Sequence, residues 1–131
     1  MNQIILASHG GLAAGAKDTL EMVLGDVSNV HVVSLARDDK EPITNKVEAM
    51  IATFNADDTV YVLTDMLGSS VNNNMVELSK NGTKFTVVSG FNIPLALTLA
   101  MSPAPIKGAE LAALILSLIH ISEPTRHSLI S

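Results

Sequence analysis

Apolar positions gather into four short runs, Gln3 to Ala7, Val30 to Leu35, Thr59 to Leu63 and Phe85 to Val88. Each run is almost continuously apolar or β-branched, without the polar alternation of a half-exposed strand, which predicts strands covered on both faces. The segments between them carry helical spacing. Leu12, Ala16, Leu20, Val23 and Leu24 fall on one face of a first helix that Gly25 can end in a left-handed conformation. Pro42 suits the first turn of a second helix whose apolar face holds Val47, Met50, Ile51 and Phe54. Ser69 or Ser70 can cap a third, carrying Val71, Met75 and Leu78 and stopped by Gly82; a fourth begins near Pro94 with Asn92 as its cap. Strand and helix alternating at this spacing predict an α/β fold, a doubly wound, mainly parallel four-stranded sheet with helices on both faces. Such sheets bind ligands beyond the carboxyl ends of their strands, where the strand order reverses.

Composition narrows this picture. A length of 131 residues suits one domain, and with 47% apolar but only 3% aromatic residues the core must be built from Val, Ile, Leu, Ala and Met. That balance is globular rather than disordered. A net charge of -5 without any compact run of Lys and Arg argues against nucleic acid as a partner. The absence of cysteine removes disulfides and thiolate metal sites. No basic segment precedes the short apolar stretch Ile4 to Ala7, so no signal peptide is expected and the chain reads as cytoplasmic. The longest nearly apolar stretch, Leu111 to Ile121, is broken by Ser117 and His120 and is too short to cross a bilayer.

The residues that follow the strands carry the candidate chemistry. The first strand ends in Ser8-His9-Gly10-Gly11, which sets a titratable ring at the carboxyl edge directly ahead of a helix. The third ends in Thr64-Asp65-Met66-Leu67-Gly68-Ser69-Ser70, placing a carboxylate at the same edge. A carboxylate that accepts a hydrogen bond from one ring nitrogen fixes the tautomer and leaves the other nitrogen's lone pair for nucleophilic attack. Backbone N–H groups of Gly68, Ser69 and Ser70 at a helix start, with two hydroxyls, would favour a phosphoryl anion. The turn Ser89-Gly90-Phe91-Asn92-Ile93-Pro94 forms a further wall of the same crevice. His31 opens the second strand at the opposite end from His9 and is expected at the surface, while His120 and His127 lie in a tail without clear periodicity. No local spacing of histidines and carboxylates suggests a zinc site, and neither a G-x-x-x-x-G-K-[ST] loop nor a G-x-G-x-x-G fingerprint occurs.

These segments together resemble the IIA domain of the mannose class (mannose, fructose, sorbose) of the bacterial phosphoenolpyruvate-dependent sugar phosphotransferase system. Ala7 to Gly15 is similar to the family's opening segment, and Met22-Val23-Leu24-Gly25 to the end of its first helix. Thr64 to Asn73 is similar to the segment where an aspartate supports the active histidine, and Ser89 to Leu95 to a third signature. The resemblance covers about residues 1 to 100 with all segments in order. It implies that His9 is phosphorylated and Asp65 is its partner, with Ser70 and Asn73 matching the family's serine and asparagine. Gly10, Gly68, Ser69 and Ser70 would then contact the phosphoryl group. It implies no cofactor and no metal. The implied partners are the phosphocarrier HPr as donor, a IIB domain or subunit as acceptor, the membrane IIC and IID components indirectly, and a second copy in a homodimer.

Departures from the family pattern fall at Ser69, where a second glycine is usual, and Val71, where proline is usual. From about Ile115 the sequence no longer resembles the family's last helix, and Pro124 would end any helix there. The expected domain is therefore residues 1–121, with 122–131 an unrelated tail. Three other readings stay open from sequence alone. A related IIA domain that phosphorylates a dihydroxyacetone kinase shares the fold and the histidine. A small tetrapyrrole chelatase also places a histidine after its first strand but should use a second metal-binding residue. A non-catalytic binding module would merely contact a ligand through His9.

Overall fold

A computed structural model of the chain describes residues 1–36, 38, 40–65, 71, 73–76, 85–90 and 93–122, with side chains to residue 117. The strands are β1 (Asn2–His9), β2 (Val30–Leu35), β3 (Thr59–Thr64) and β4 (Thr86–Ser89). The labelled helices are α1 (Leu12–Leu24), α2 (Ile43–Ile51), α3 (Ile93–Met101) and α4 (Gly108–Ser122). Val71 and Asn73–Val76 are also helical, in the crossover between β3 and β4. All three strand pairings are parallel and the order is β2-β1-β3-β4. The chain thus steps from β1 outward to β2, then crosses back to β3 on the other side of β1. The switch point lies between β1 and β3, where Ala7 pairs with Thr64.

Alternate residues of the central strands feed two cores, one on each face of the sheet. Ile4, Leu6, Val30, Tyr61, Leu63 and Val88 pack against Ala13, Ala16 and Leu20 of α1, Leu95 and Leu99 of α3 and Leu111 of α4. Ile5, Ala7, Val33, Val60 and Val62 pack against Ile43 and Val47 of α2 and against Val71 and Met75. This two-sided burial is what the unbroken apolar runs require. A fully buried Leu or Ile contributes roughly 1.5–3 kcal/mol by burial.

Two helices sit differently from their apolar pattern. On α1 the buried residues are Ala13, Ala16 and Leu20, while Leu12 is 53% and Val23 64% exposed. The small alanines let the helix approach the sheet closely, which rotates the seam away from the two larger side chains. Gly25 ends α1 as expected, at φ 83 with its N–H bonded to the Glu21 carbonyl. Pro42 is the residue before α2 rather than inside its first turn. Phe54 lies beyond the end of α2 yet still packs against that core. The chain after Ile115, where the resemblance to the family's last helix stops, continues as α4 to Ser122, short of Pro124; Leu111 is buried in the first core and Leu114 and Ile115 pack against it. No helix among the described residues is long and apolar enough to cross a membrane.

The amino edge of the sheet is tied down by polar groups. Asn2 Nδ2 donates to the carbonyls of Leu99 (3.2 Å) and Ala104 (3.1 Å), and Asn29 Nδ2 to those of Asn2 (3.1 Å) and Ala100 (3.0 Å). The buried Tyr61 hydroxyl donates to the Ile106 carbonyl and accepts the Ile106 N–H, both at 2.8 Å. It therefore holds the α3–α4 connection through both main-chain groups of one residue. Tyr61→Phe leaves both groups without that partner and should lower stability by about 1.5 kcal/mol, read as a fall in Tm of roughly 5 °C. An unchanged Tm would show that water replaces the hydroxyl at no cost.

His31, expected at the surface, is half-buried. Its ring packs against Phe54 with centroids 4.9 Å apart, and Nε2 donates to Gln3 Oε1 at 2.8 Å. Gln3 Nε2 in turn donates to Asp58 Oδ2 at 3.2 Å. That bond does most to hold the Asp58 carboxyl below its ordinary 3.8; burial opposes it, and the Asn55 N–H and the terminal ammonium reinforce it. Burial, followed by the charge of Lys17, holds His31 below its ordinary 6.5. The unfolded chain then binds more protons than the folded one between the two values. Stability from neutral His31 is complete above pH 6.5 and is lost as pH falls through the folded value. The Tm difference between the native protein and His31→Gln should accordingly shrink on acidification from about pH 7.5 to about pH 5. A difference constant across that range would remove His31 from the pH dependence.

Candidate functional site

His9 is the last residue of β1 and Asp65 follows the last residue of β3. The two neighbouring strands that flank the switch point deliver both side chains to the same carboxyl edge. Asp65 Oδ2 accepts two hydrogen bonds from one residue, the backbone N–H of His9 at 3.0 Å and ring Nδ1 at 2.8 Å. A carboxylate can only accept, so Nδ1 carries the proton, and in the neutral ring the lone pair lies on Nε2. The Asp65 side chain is 4% exposed and the His9 side chain 43%. The carboxylate is thus a buried support for a ring that is itself partly exposed.

The backbone around His9 is held as firmly as the ring. Gly10 N–H donates to the Leu35 carbonyl at 3.0 Å, which pins the turn to the end of β2. Gly10 has φ 57, in the left-handed region where a side chain costs about 1–2 kcal/mol, so glycine is required by the turn. Ser8, fully buried, accepts the Ala13 N–H on its hydroxyl at 2.9 Å. No role for Ser8 is read from the sequence. The available signal is a hydroxyl at the end of an otherwise apolar strand, facing the helix that follows.

Of the residues expected to form the site, the structure brings His9, Gly10 and Asp65 together. Gly68, Ser69 and Ser70, expected to contact the phosphoryl group, lie outside the described residues, as do Asn72, Phe91 and Asn92. Asn73 is helical. Ser89 ends β4 opposite Thr64, so the fourth strand also reaches this edge, and Gly90 turns the chain there at φ 85. His31 pairs with Ile5, far along β1 from His9, and takes no part in the site.

A buried carboxylate fixing one nitrogen of an exposed imidazole is an arrangement for a nucleophile or a covalent carrier. Comparison with known proteins bears on the chain as a whole. Residues 3–116 match the EIIA-man family, described as the PTS system fructose IIA component, PTS being the phosphotransferase system. The PTS system sorbose-specific EIIA component of Lacticaseibacillus casei is 27% identical over 101 residues, covering 76% of this chain and 72% of that protein. The crystal structure of a protein from Klebsiella pneumoniae subsp. pneumoniae, provisionally described as a phosphoenolpyruvate-dependent sugar phosphotransferase system permease, superposes with a TM-score of 0.76 at 32% identity, over 92% of this chain and 88% of that one. The PTS IIA protein associated with the fucose utilization operon of Streptococcus pneumoniae superposes with a TM-score of 0.72 at 28% identity, over 95% and 90% of the two chains.

Proposed function

This chain belongs to the EIIA-man family, a PTS IIA component of the mannose and sorbose class, and we propose that it is a phosphoryl carrier whose reacting group is His9. In this reading phospho-HPr is the donor and a IIB domain or subunit of the same system is the acceptor. Membrane IIC and IID components use the phosphate downstream for sugar uptake. The observation that carries the proposal is the pairing of Asp65 Oδ2 with both Nδ1 and the backbone N–H of His9.

The Nε2 lone pair attacks phosphorus as the bond from phosphorus to the HPr ring nitrogen breaks, and that nitrogen keeps the electron pair. His9 retains its Nδ1 proton, so the phosphorylated ring carries a positive charge that the Asp65 carboxylate offsets. The same proton stays in place when Nε2 passes the phosphoryl group on. Transfer between two nitrogens depends on in-line placement and on donors to the phosphoryl oxygens. The donors are assigned to Gly68, Ser69 and Ser70 on the strength of the sequence pattern; Gly10, whose own N–H is held by the Leu35 carbonyl, lies beside the phosphoryl group without donating to it and keeps the turn open at His9. No cofactor takes part in this scheme. The functional domain is assigned to residues 1–121 with 122–131 as a tail, and the assembly to a cytoplasmic homodimer.

Intact-protein mass spectrometry after incubation with phosphoenolpyruvate, enzyme I and HPr tests the proposal. The expected product is one acid-labile phosphoryl adduct. A folded protein that takes up none would sink the carrier reading.

A further inference from the structure

We propose that Ser8 is a positioning residue for His9, acting through the first turn of α1; the inference rests on the carrier reading for its kinetic consequence but not for its structural one. Ser8 shares with Ile4 and Leu6 the face of β1 that α1 covers, and all three are at most 1% exposed. An apolar side chain would fill such a place without any need for a partner. A buried hydroxyl is tolerated there because it accepts the Ala13 N–H at 2.9 Å.

That bond does a task the helix cannot do for itself. The cap residue of α1 is Gly11, which has no side chain to satisfy the first-turn N–H groups. Ser8 supplies the acceptor from five residues upstream of Ala13, on the far side of His9, Gly10 and Gly11. The turn that carries the imidazole is thereby closed at both ends by one hydrogen bond. Two more bonds hold its middle, His9 N–H to Asp65 Oδ2 and Gly10 N–H to the Leu35 carbonyl. Gly10 and Gly11 bring almost no conformational restriction of their own, so the geometry of the turn depends on such bonds, with the Gly11 carbonyl held in turn by the Gly15 N–H at 3.0 Å. Losing the Ser8 bond frees α1 to shift against β1 and loosens the His9 backbone. Asp65 then no longer meets Nδ1 in a single arrangement, and the ring populates both neutral tautomers.

The test compares native protein with Ser8→Ala, Ser8→Cys and Ser8→Thr. Cysteine keeps the small volume but offers only a weak acceptor, whereas threonine keeps the hydroxyl. The first measurement is the ¹⁵N spectrum of the His9 ring without any phosphoryl donor. The native ring should show one tautomer protonated at Nδ1, Ser8→Ala and Ser8→Cys a mixture, and Ser8→Thr the native pattern. The second is transfer from phospho-HPr, where Ser8→Ala should lose about tenfold in kcat with KM within about twofold, and Ser8→Thr should recover most of the rate. If Ser8→Ala does not fold, Ser8→Cys carries both readouts. Native ring signals and a native rate in a folded Ser8→Ala or Ser8→Cys protein would overturn the proposal. Native protein that takes no phosphate at all would overturn the carrier reading alone, because the ring spectra still decide the role of Ser8.

Discussion

His9→Ala should reduce phosphoryl uptake from phospho-HPr to below about one-thousandth of the native rate, since the nucleophile itself is removed. Asp65 cannot substitute, because its carboxylate is 4% exposed and lies behind the ring it supports. His31 cannot, because its Nε2 is bonded to Gln3 near the opposite edge of the sheet. The variant should stay folded. The His9 side chain is 43% exposed, and Asp65 keeps the hydrogen bond from the backbone N–H at position 9. The cost is the loss of one partner to a buried carboxylate, about 1–2 kcal/mol. Mass spectrometry of His9→Ala beside His31→Gln separates the two histidines: the adduct should vanish in the first and persist in the second. An adduct retained in His9→Ala would move the reacting group elsewhere and dissolve the site described above.

The sequence made the scaffold of that site readable, and the reason is local. Strands buried on both faces are continuously apolar, so β1 and β3 are legible to within one or a few residues, running beyond their apolar runs to the polar residues that end them, while the half-buried edge strand β2 is marked instead by its β-branched Val30, Val32 and Val33. His9 and Asp65 stand at those ends, where a strand stops being covered, and alternation of strand and helix is enough to place both at one edge. Strand order is not local. Nothing in the runs themselves says that β3 pairs with β1 rather than β2, and the meeting of His9 with Asp65 depends on that choice.

The misread positions share another cause. Periodicity fixes the width of an apolar stripe on α1 but not which flank touches the sheet, and here the close approach of Ala13 and Ala16 leaves Leu12 and Val23 outside. For His31 the burial comes from Phe54, a residue beyond the end of α2 that folds back onto β2, a contact between positions far apart in sequence. The partner of Ser8 is the backbone N–H of Ala13, a group that leaves no trace in the sequence.

Asp65→Asn should slow phosphoryl transfer by about 10²-fold while leaving the fold intact, the size of effect expected when the group orienting a reactive imidazole is altered. The change is nearly isosteric, yet the amide meets two requirements it cannot satisfy as the carboxylate does. Oδ2 of Asp65 accepts from both the backbone N–H and Nδ1 of His9. If the Asn oxygen takes both bonds, the correct tautomer survives, but the negative charge that offsets the positive phosphorylated ring is gone and both bonds weaken. If the Asn NH₂ turns toward the ring instead, Nδ1 must accept, the proton moves to Nε2, and the lone pair needed for attack is lost. The ¹⁵N spectrum of the His9 ring tells the two apart, and both slow the reaction. Quenched single-turnover transfer from phospho-HPr is the measurement, since it reports the chemical step without product release. A rate within about twofold of native would mean that charge and tautomer at His9 are set without the carboxylate, leaving Asp65 only a clamp on the backbone.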